Sequence, residues 1–253
     1  MSLWAGFADI SLGQIVLVGG MALLASVIGG LAGYGTGALM PLVLVPLVGA
    51  EPVVPIIAIS AIFTNISRFV AYFRYADRRR ALIVISAAML TTALGAYGYT
   101  RLTSAGAALV IGGMLILSVP LRRLARHRNI KIGDTGLGVS AVGYGVLVGG
   151  TSGSGVILLS LLMASGLEGA AVIATDAVIS VATGVIKISV FGLAGVVTVQ
   201  VLAFALLIGA IAIPGAFLAK AFVERMPVHI HTAILDAAVI AGGLVMITAA
   251  LRH

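Results

Sequence analysis

Eight apolar stretches, at about 12–49, 52–72, 81–99, 104–121, 135–166, 169–190, 194–218 and 231–250, occupy nearly the whole chain and leave it no water-soluble fold. Crossing the hydrocarbon core of a bilayer takes roughly 20 apolar residues in a helix. Of the 253 residues, 61% are apolar and only 9% are charged, against roughly a quarter charged in soluble domains. Too little charge exists to cover a water-facing surface, so the solvent must be lipid. The expectation is an all-α membrane protein with about eight transmembrane helices. The first and fifth stretches are too long for one simple helix, and each contains a Gly-rich interruption, which predicts a helix broken at that point.

The net charge of +7 does not signal nucleic acid. The basic residues lie in short loops beside the apolar stretches, as the positive-inside rule expects. One loop holds Arg74, Arg78, Arg79 and Arg80; the other holds Arg122, Arg123, Arg126, Arg128 and Lys131. Two spans separate them, so both fall in the cytoplasm, and a multi-pass protein of the bacterial inner membrane is expected. Residues 1–10 contain no Lys or Arg and no signal-peptidase pattern follows, so no cleavable signal peptide is expected. The absence of Cys removes disulfides, thiol nucleophiles and Cys-ligated metals. His229 and His231, two apart, do not share a helix face, so no metal site is expected. No Walker sequence and no nucleophile elbow is present. Neither catalytic residues nor a cofactor are expected, and the protein reads as no enzyme.

The chain repeats itself. Gly35-Thr36-Gly37 is matched by Gly153-Ser154-Gly155, Glu51 by Glu168, and Ala58-Ile59-Ser60-Ala61-Ile62 by Ala174-Thr175-Asp176-Ala177-Val178. This divides the chain into two repeats, 1–128 and 129–253. Internal duplication is frequent in secondary transporters, with binding sites between the halves. If each broken segment crosses once, the repeats run parallel with eight crossings, the preferred arrangement. If each enters and returns, or crosses twice, they are inverted, and the loop at 219–230 becomes cytoplasmic. Glu51 and Glu168 are both expected to mark the external surface.

Residues 29–37 and 149–155 carry the breaks. Gly costs about 1 kcal/mol per site in a helix, and freed backbone at membrane depth is tolerated only inside protein or along a polar cavity. A half-helix starting after such a break points its N–H groups and positive dipole end inward. Gly33, Gly35, Thr36 and Gly37 with Thr151, Ser152, Gly153, Ser154 and Gly155 therefore make a candidate anion cradle, with the hydroxyls of Thr36, Thr151, Ser152 and Ser154 expected as donors. The alternative is Gly for tight helix crossing. Asp176, Ser180, Thr183 and Lys187, at i, i+4, i+7 and i+11, form a polar stripe on one helix face. Its first-half counterpart is Ser60, Thr64 and Ser67, with Asn65 and Arg68 beside it. Asn65, Arg68 and Lys187 join the candidate substrate set, the two cations lying on the cytoplasmic approach; snorkelling to the interface is the other reading for both. Asp176 is an intramembrane carboxylate and the candidate coupling group, or else a partner for a structural cation. Asp236 is a weaker case. Arg101 with Tyr97 and Tyr99, and Trp4, read as interfacial anchors.

Duplicated halves, each opening on a Gly-rich break (Gly29–Gly37 with Pro41 and Pro46; Gly149–Gly155), with a basic loop at Arg74–Arg80, resemble the sulfite exporter TauE/SafE family over nearly the whole chain. The resemblance implies a secondary transporter of sulfite, sulfonates or other small sulfur-containing anions, driven by an ion gradient, with protons expected. Tyr34 and Thr36 interrupt the first break where the family often has a longer glycine run, and Glu51-Pro52 faces Leu167-Glu168-Gly169 across the halves; these departures bear on the substrate rather than the architecture. The alternatives are a membrane scaffold or assembly subunit and a passive anion channel. The expected partners are a small anion and the lipid bilayer, with a homo-oligomer compatible with both.

Overall fold

The computed structural model describes residues 3–8, 10–32, 35–127, 131–223 and 228–251. Among these residues the chain is all-α. After a 3-10 turn at Leu3–Phe7 come α1 (Leu12–Ala32), α2 (Gly35–Val48), α3 (Val53–Tyr72), α4 (Arg78–Tyr99) and α5 (Ser104–His127). Then follow α6 (Asp134–Gly150), α7 (Gly155–Ala164), α8 (Ala170–Leu193), α9 (Val199–Val223) and α10 (Val228–Ala250). Each apolar stretch is helical, and the two long ones are split at their glycines into α1–α2 and α6–α7. Val53–Val70, Arg78–Tyr99, Ser104–Leu121 and Ala170–Leu193 are each long and apolar enough to span a bilayer. Large apolar side chains such as Leu82, Leu90, Val139 and Leu193 point outward. Such a surface is stable in lipid and not in water. The protein is a multi-pass membrane protein.

Local chemistry sets the helix ends. Asp77 caps α4 by accepting from the Arg80 backbone N–H at 2.9 Å, satisfying one of the donors that a helix start leaves open. The short helices α2 and α7 both stop at a glycine in the left-handed region, Gly49 and Gly166.

The direction of the broken segments departs from the preferred eight-crossing arrangement. Ile132, just before α6, donates its backbone N–H to Ala164 O at the end of α7 (2.9 Å). The α6–α7 segment therefore enters and returns at one end of the molecule. The α1–α2 segment does the same at the other end. Ahead of α1, Phe7 packs edge-to-face on Phe204 of α9 (centroids 5.1 Å apart). After α2, Ala50 O accepts the Tyr99 hydroxyl at 2.7 Å, and Tyr99 in turn packs on Phe191 of α8. One end thus gathers the start of α1, the ends of α2, α4 and α8 and the start of α9; we call it the far face. The basic face gathers the starts of α4, α6 and α8 and the end of α7. Arg79 and Arg80 sit there, Arg79 paired with Asp134 at 2.5 Å. Glu51 follows α2 on the far face and Glu168 follows α7 on the basic face, so they do not mark one common surface. The reason is geometric: a helix that turns back at its break reverses the sense of everything after it.

Packing follows a matched pattern. α1 lies on α9 as α4 lies on α6, α3 on α9 as α8 on α4, and α2 on α10 as α7 on α5, while α3 meets α8 and α5 meets α10 at the centre. Exchanging α1–α5 with α6–α10 maps this set onto itself. Without a hydrophobic force between helices in lipid, close approach of small residues holds such contacts. A Cβ on Gly149 would sit 2.2 Å from Thr92 O, and one on Gly95 2.3 Å from Val146 O, so α4 and α6 touch backbone to backbone. Gly112 and Gly243 do this for α5 and α10, where a Cβ on either would be 2.8 Å from the other's carbonyl.

Candidate functional site

The two breaks meet inside the bundle. A Cβ on Gly37 would lie 3.0 Å from Gly153 N, so only glycine lets α2 approach the second break this closely. The contact has a chemical cause in the sequence. Pro41 has no N–H to give the carbonyl four residues back, Gly37 O, and an unsatisfied carbonyl at membrane depth is costly. Ser152 repairs the gap, donating its hydroxyl to Gly37 O at 2.6 Å. Gly153 holds φ at +86°, a conformation other L-residues rarely adopt, and so turns α6 into α7.

Around this junction lies a cavity of about 130 Å³. Pockets for drug-sized ligands run roughly 300–1,000 Å³, so this one suits a small solute. Its wall includes Gly35, Thr36 and Gly37 from the first break and Thr151, Ser152, Gly153, Ser154 and Gly155 from the second. Asn65 and Arg68 of α3 and Asp176, Ser180, Thr183 and Lys187 of α8 complete the polar side. Thus the sequence-predicted residues from four separate segments come together; Gly33 lies outside the described residues, as does Tyr34. The amino ends of α2 and α7 both open into the cavity.

The individual groups differ in what they have left to offer. Thr151 donates its hydroxyl to Leu147 O (2.8 Å) and Ser152 donates to Gly37 O. Their hydroxyl hydrogens are committed to the backbone, against the expectation that all four break hydroxyls serve as donors. Thr36 and Ser154 make no side-chain hydrogen bond among the described residues and keep theirs. Thr183, Ser60, Thr64 and Ser67 bond back to carbonyls of their own helices, the ordinary behaviour of small hydroxyls in a helix.

The charged groups form two clusters. Arg68 Nη2 lies 3.1 Å from Asp176 Oδ2 and also donates to Asn65 Oδ1. Asp176 is 1% exposed. One residue before it, Thr175 Oγ1 accepts from the Asp77 N–H at 2.9 Å, so this cluster lies toward the basic face. Lys187 is at the other end. It is buried and donates to Thr151 O at 3.4 Å, meeting the negative end of α6. Lys187 and Arg68 do not share one approach to the cavity: α3 and α8 run in opposite directions, so positions near both carboxyl ends fall at opposite ends of the cavity. On the basic face, Arg80 pairs with Asp77 at 2.6 Å and donates to Ser165 O at 2.7 Å. The hydrogen bond from the Arg80 backbone N–H, with the guanidinium close by, holds the Asp77 carboxyl below its ordinary range.

Two polar cavity residues escaped the sequence reading, Ser26 of α1 and Tyr144 of α6. Tyr144 stands seven residues before Thr151, on the same helix face. It is also 118 positions after Ser26, the offset that aligns the two glycine motifs, so the repeat itself pointed to the pair. Ser26 donates to Ala212 O at 2.5 Å, tying α1 to α9. Glycines 149 and 150, grouped by sequence with the second break, end α6; Gly149 serves the α4 contact, in keeping with the tight-crossing reading. Asp236 is buried in α10, away from the cavity; the side chains of His229, His231 and Trp4 lie outside the described residues. Arg101 donates to Tyr97 Oη and covers its ring, 4.8 Å from the centroid; Tyr99, grouped with them by sequence as an interfacial anchor, is instead buried and donates to Ala50 O.

No curated protein and no solved structure matches the chain. The family model for the sulfite exporter TauE/SafE matches residues 18–246, a range that takes in both Gly-rich breaks and every residue found around the cavity. By that match the chain belongs to the sulfite exporter TauE/SafE family, whose members are membrane transporters.

Proposed function

We propose that this protein is a secondary transporter of a small sulfur-containing anion, sulfite or an organosulfonate, across the bacterial inner membrane. The anion binds in the cavity between the two breaks, and transport is coupled to protons through Asp176. The observation that carries the reading is the junction of the breaks: two half-helix amino ends, two uncommitted hydroxyls on Thr36 and Ser154, the buried Lys187 and the half-buried Arg68 surround one small cavity. Helix amino ends with backbone N–H groups favour anions, and the cations add charge where water cannot screen it. Gly35, Gly37, Gly153 and Gly155 keep the backbone bare for close approach, while Asn65 orients Arg68. Gly33 belongs to the same cradle by sequence.

The repeats 1–128 and 129–253 are inverted copies, and the matched helix pairing supports this division. Inverted repeats around a central site allow alternating access by rocking one part against the other. By the positive-inside rule the basic face is cytoplasmic, and α9, which starts on the far face, ends at Val223 on the same side; residues 224–227 of the loop at 219–230 lie outside the described residues.

Anion uptake into proteoliposomes tests the reading, with sulfite, sulfoacetate, taurine and sulfate supplied with and without a pH gradient. Gradient-stimulated uptake of at least one sulfur anion is expected, and Asp176→Asn should lose the stimulation. Absence of uptake of all four by folded protein would sink the proposal, and uptake indifferent to the gradient would mark a passive channel.

A further inference from the structure

The cavity carries an unequal set of charges. Among the described residues that line it, Arg68 and Lys187 are cations, Asp176 is the one carboxylate, and the others are neutral. The repeat does not explain this. Counted by the offset of 116 that aligns 58–62 with 174–178, Asp176 corresponds to Ser60 and Arg68 to Gly184. The charges are therefore private to one half each and have been added to a matched frame.

Burial makes their sum matter. Asp176 and Lys187 are almost wholly enclosed, and the Arg68 side chain is 14% exposed. Uncompensated charge at membrane depth is strongly disfavoured. The groups facing Asp176 from the packed elements are Arg68 of α3, Tyr144 of α6 and Ser180 on its own helix; on the basic face, Asp77 and Arg80 neutralise each other. With Asp176 ionised the three charges sum to one positive, and a bound monoanion cancels it. A dianion leaves one negative charge over, unless Asp176 binds a proton and yields Arg68 to the ligand.

Resting on the anion-transport reading, we propose that the cavity balances its charge: Asp176 and the anion share Arg68, so a dianion binds together with one proton and a monoanion binds without one. Lys187, held at the far end by Thr151 O with two further N–H groups to give, is the permanent anchor. Arg68 is the exchangeable one.

Titration calorimetry on the purified full-length protein tests this at pH 7, in two buffers of different protonation enthalpy. Sulfoacetate serves as the dianion and methanesulfonate as the monoanion. The wild type should take up about one proton with each sulfoacetate and none with methanesulfonate. Asp176→Asn should bind sulfoacetate without proton uptake. Lys187→Gln removes one fixed charge and should make methanesulfonate binding take up about one proton. If Asp176→Asn does not fold, the wild type and Lys187→Gln still decide the matter. Equal proton counts for the two anions in the wild type, or no change in Lys187→Gln, would overturn charge balancing while leaving anion transport intact. Failure of folded wild type to bind either anion would count against the transport reading and the inference together.

Discussion

At the scale of single residues, polar groups in this protein are consumed by backbone that lipid cannot solvate. Ser152 answers the carbonyl that Pro41 leaves open, Lys187 answers the end of α6, and Arg68 and Asp176 answer each other. Removing one member of a buried pair strands the other, which typically costs 3–5 kcal/mol. Asp176→Leu should therefore destabilise the detergent-solubilised protein by about 3 kcal/mol. The double variant Arg68→Met with Asp176→Leu should lose less than the sum of the single changes. Additive losses in a denaturation series would mean that the pair is not coupled. Asp77 is a surface case with a pH signature. Its carboxyl is held low by the Arg80 N–H, so the stability it gives is present above the unfolded value, about 3.9. That stability is lost as pH falls through the folded one. Asp77→Ala should cost about 1 kcal/mol at pH 7, and the gap between variant and wild type should close on acidification below about pH 4. A gap constant down to pH 3 would contradict the cap.

At the scale of elements, glycine does two separate jobs that composition alone does not distinguish. At Gly153 it permits the turn of a broken helix; at Gly95, Gly145 and Gly149 it lets α4 and α6 approach through their backbones. The environment decides the effect of a methyl group. Gly149→Ala would drive a Cβ into Thr92 O, a backbone atom that cannot move aside, whereas Gly143 on the same helix has nothing within 4 Å. Gly149→Ala is expected to cost at least 1–3 kcal/mol, the range for overpacking. Gly143→Ala should be neutral or stabilise by up to about 1 kcal/mol through helix propensity. Thermal midpoints in one detergent compare them directly, and similar midpoints would mean that α4 and α6 are not in contact.

At the scale of the whole molecule, the two hairpins α1–α2 and α6–α7 enter from opposite faces. The chain contains no Cys, so single cysteines report sidedness without background. Positions 51 and 168 both lie exposed in connections between helices. A membrane-impermeant maleimide added to intact cells should label Glu51→Cys, and Glu168→Cys should label only after the membrane is opened. Labelling of both from outside would restore the parallel arrangement and refute the inverted one.

Hydropathy by itself determined that the chain is helical and membrane-embedded, because a bilayer admits few ways to satisfy a backbone and 20-residue apolar runs declare the commonest. Glycine clusters and the repeat likewise marked where helices break, and spacing placed Asp176, Ser180, Thr183 and Lys187 on one face. These are local properties, fixed by composition and period. Tertiary structure alone decided whether a broken helix continues or turns back, since a Gly-rich break allows both and only packing against α9 or α4 selects one. That choice set Glu51 and Glu168 on opposite faces and parted Lys187 from Arg68. Which hydroxyls remain for a ligand was also decided there: the carbonyl that claims Ser152 lies 115 residues away in the chain, and a contact at that separation leaves no mark on local sequence.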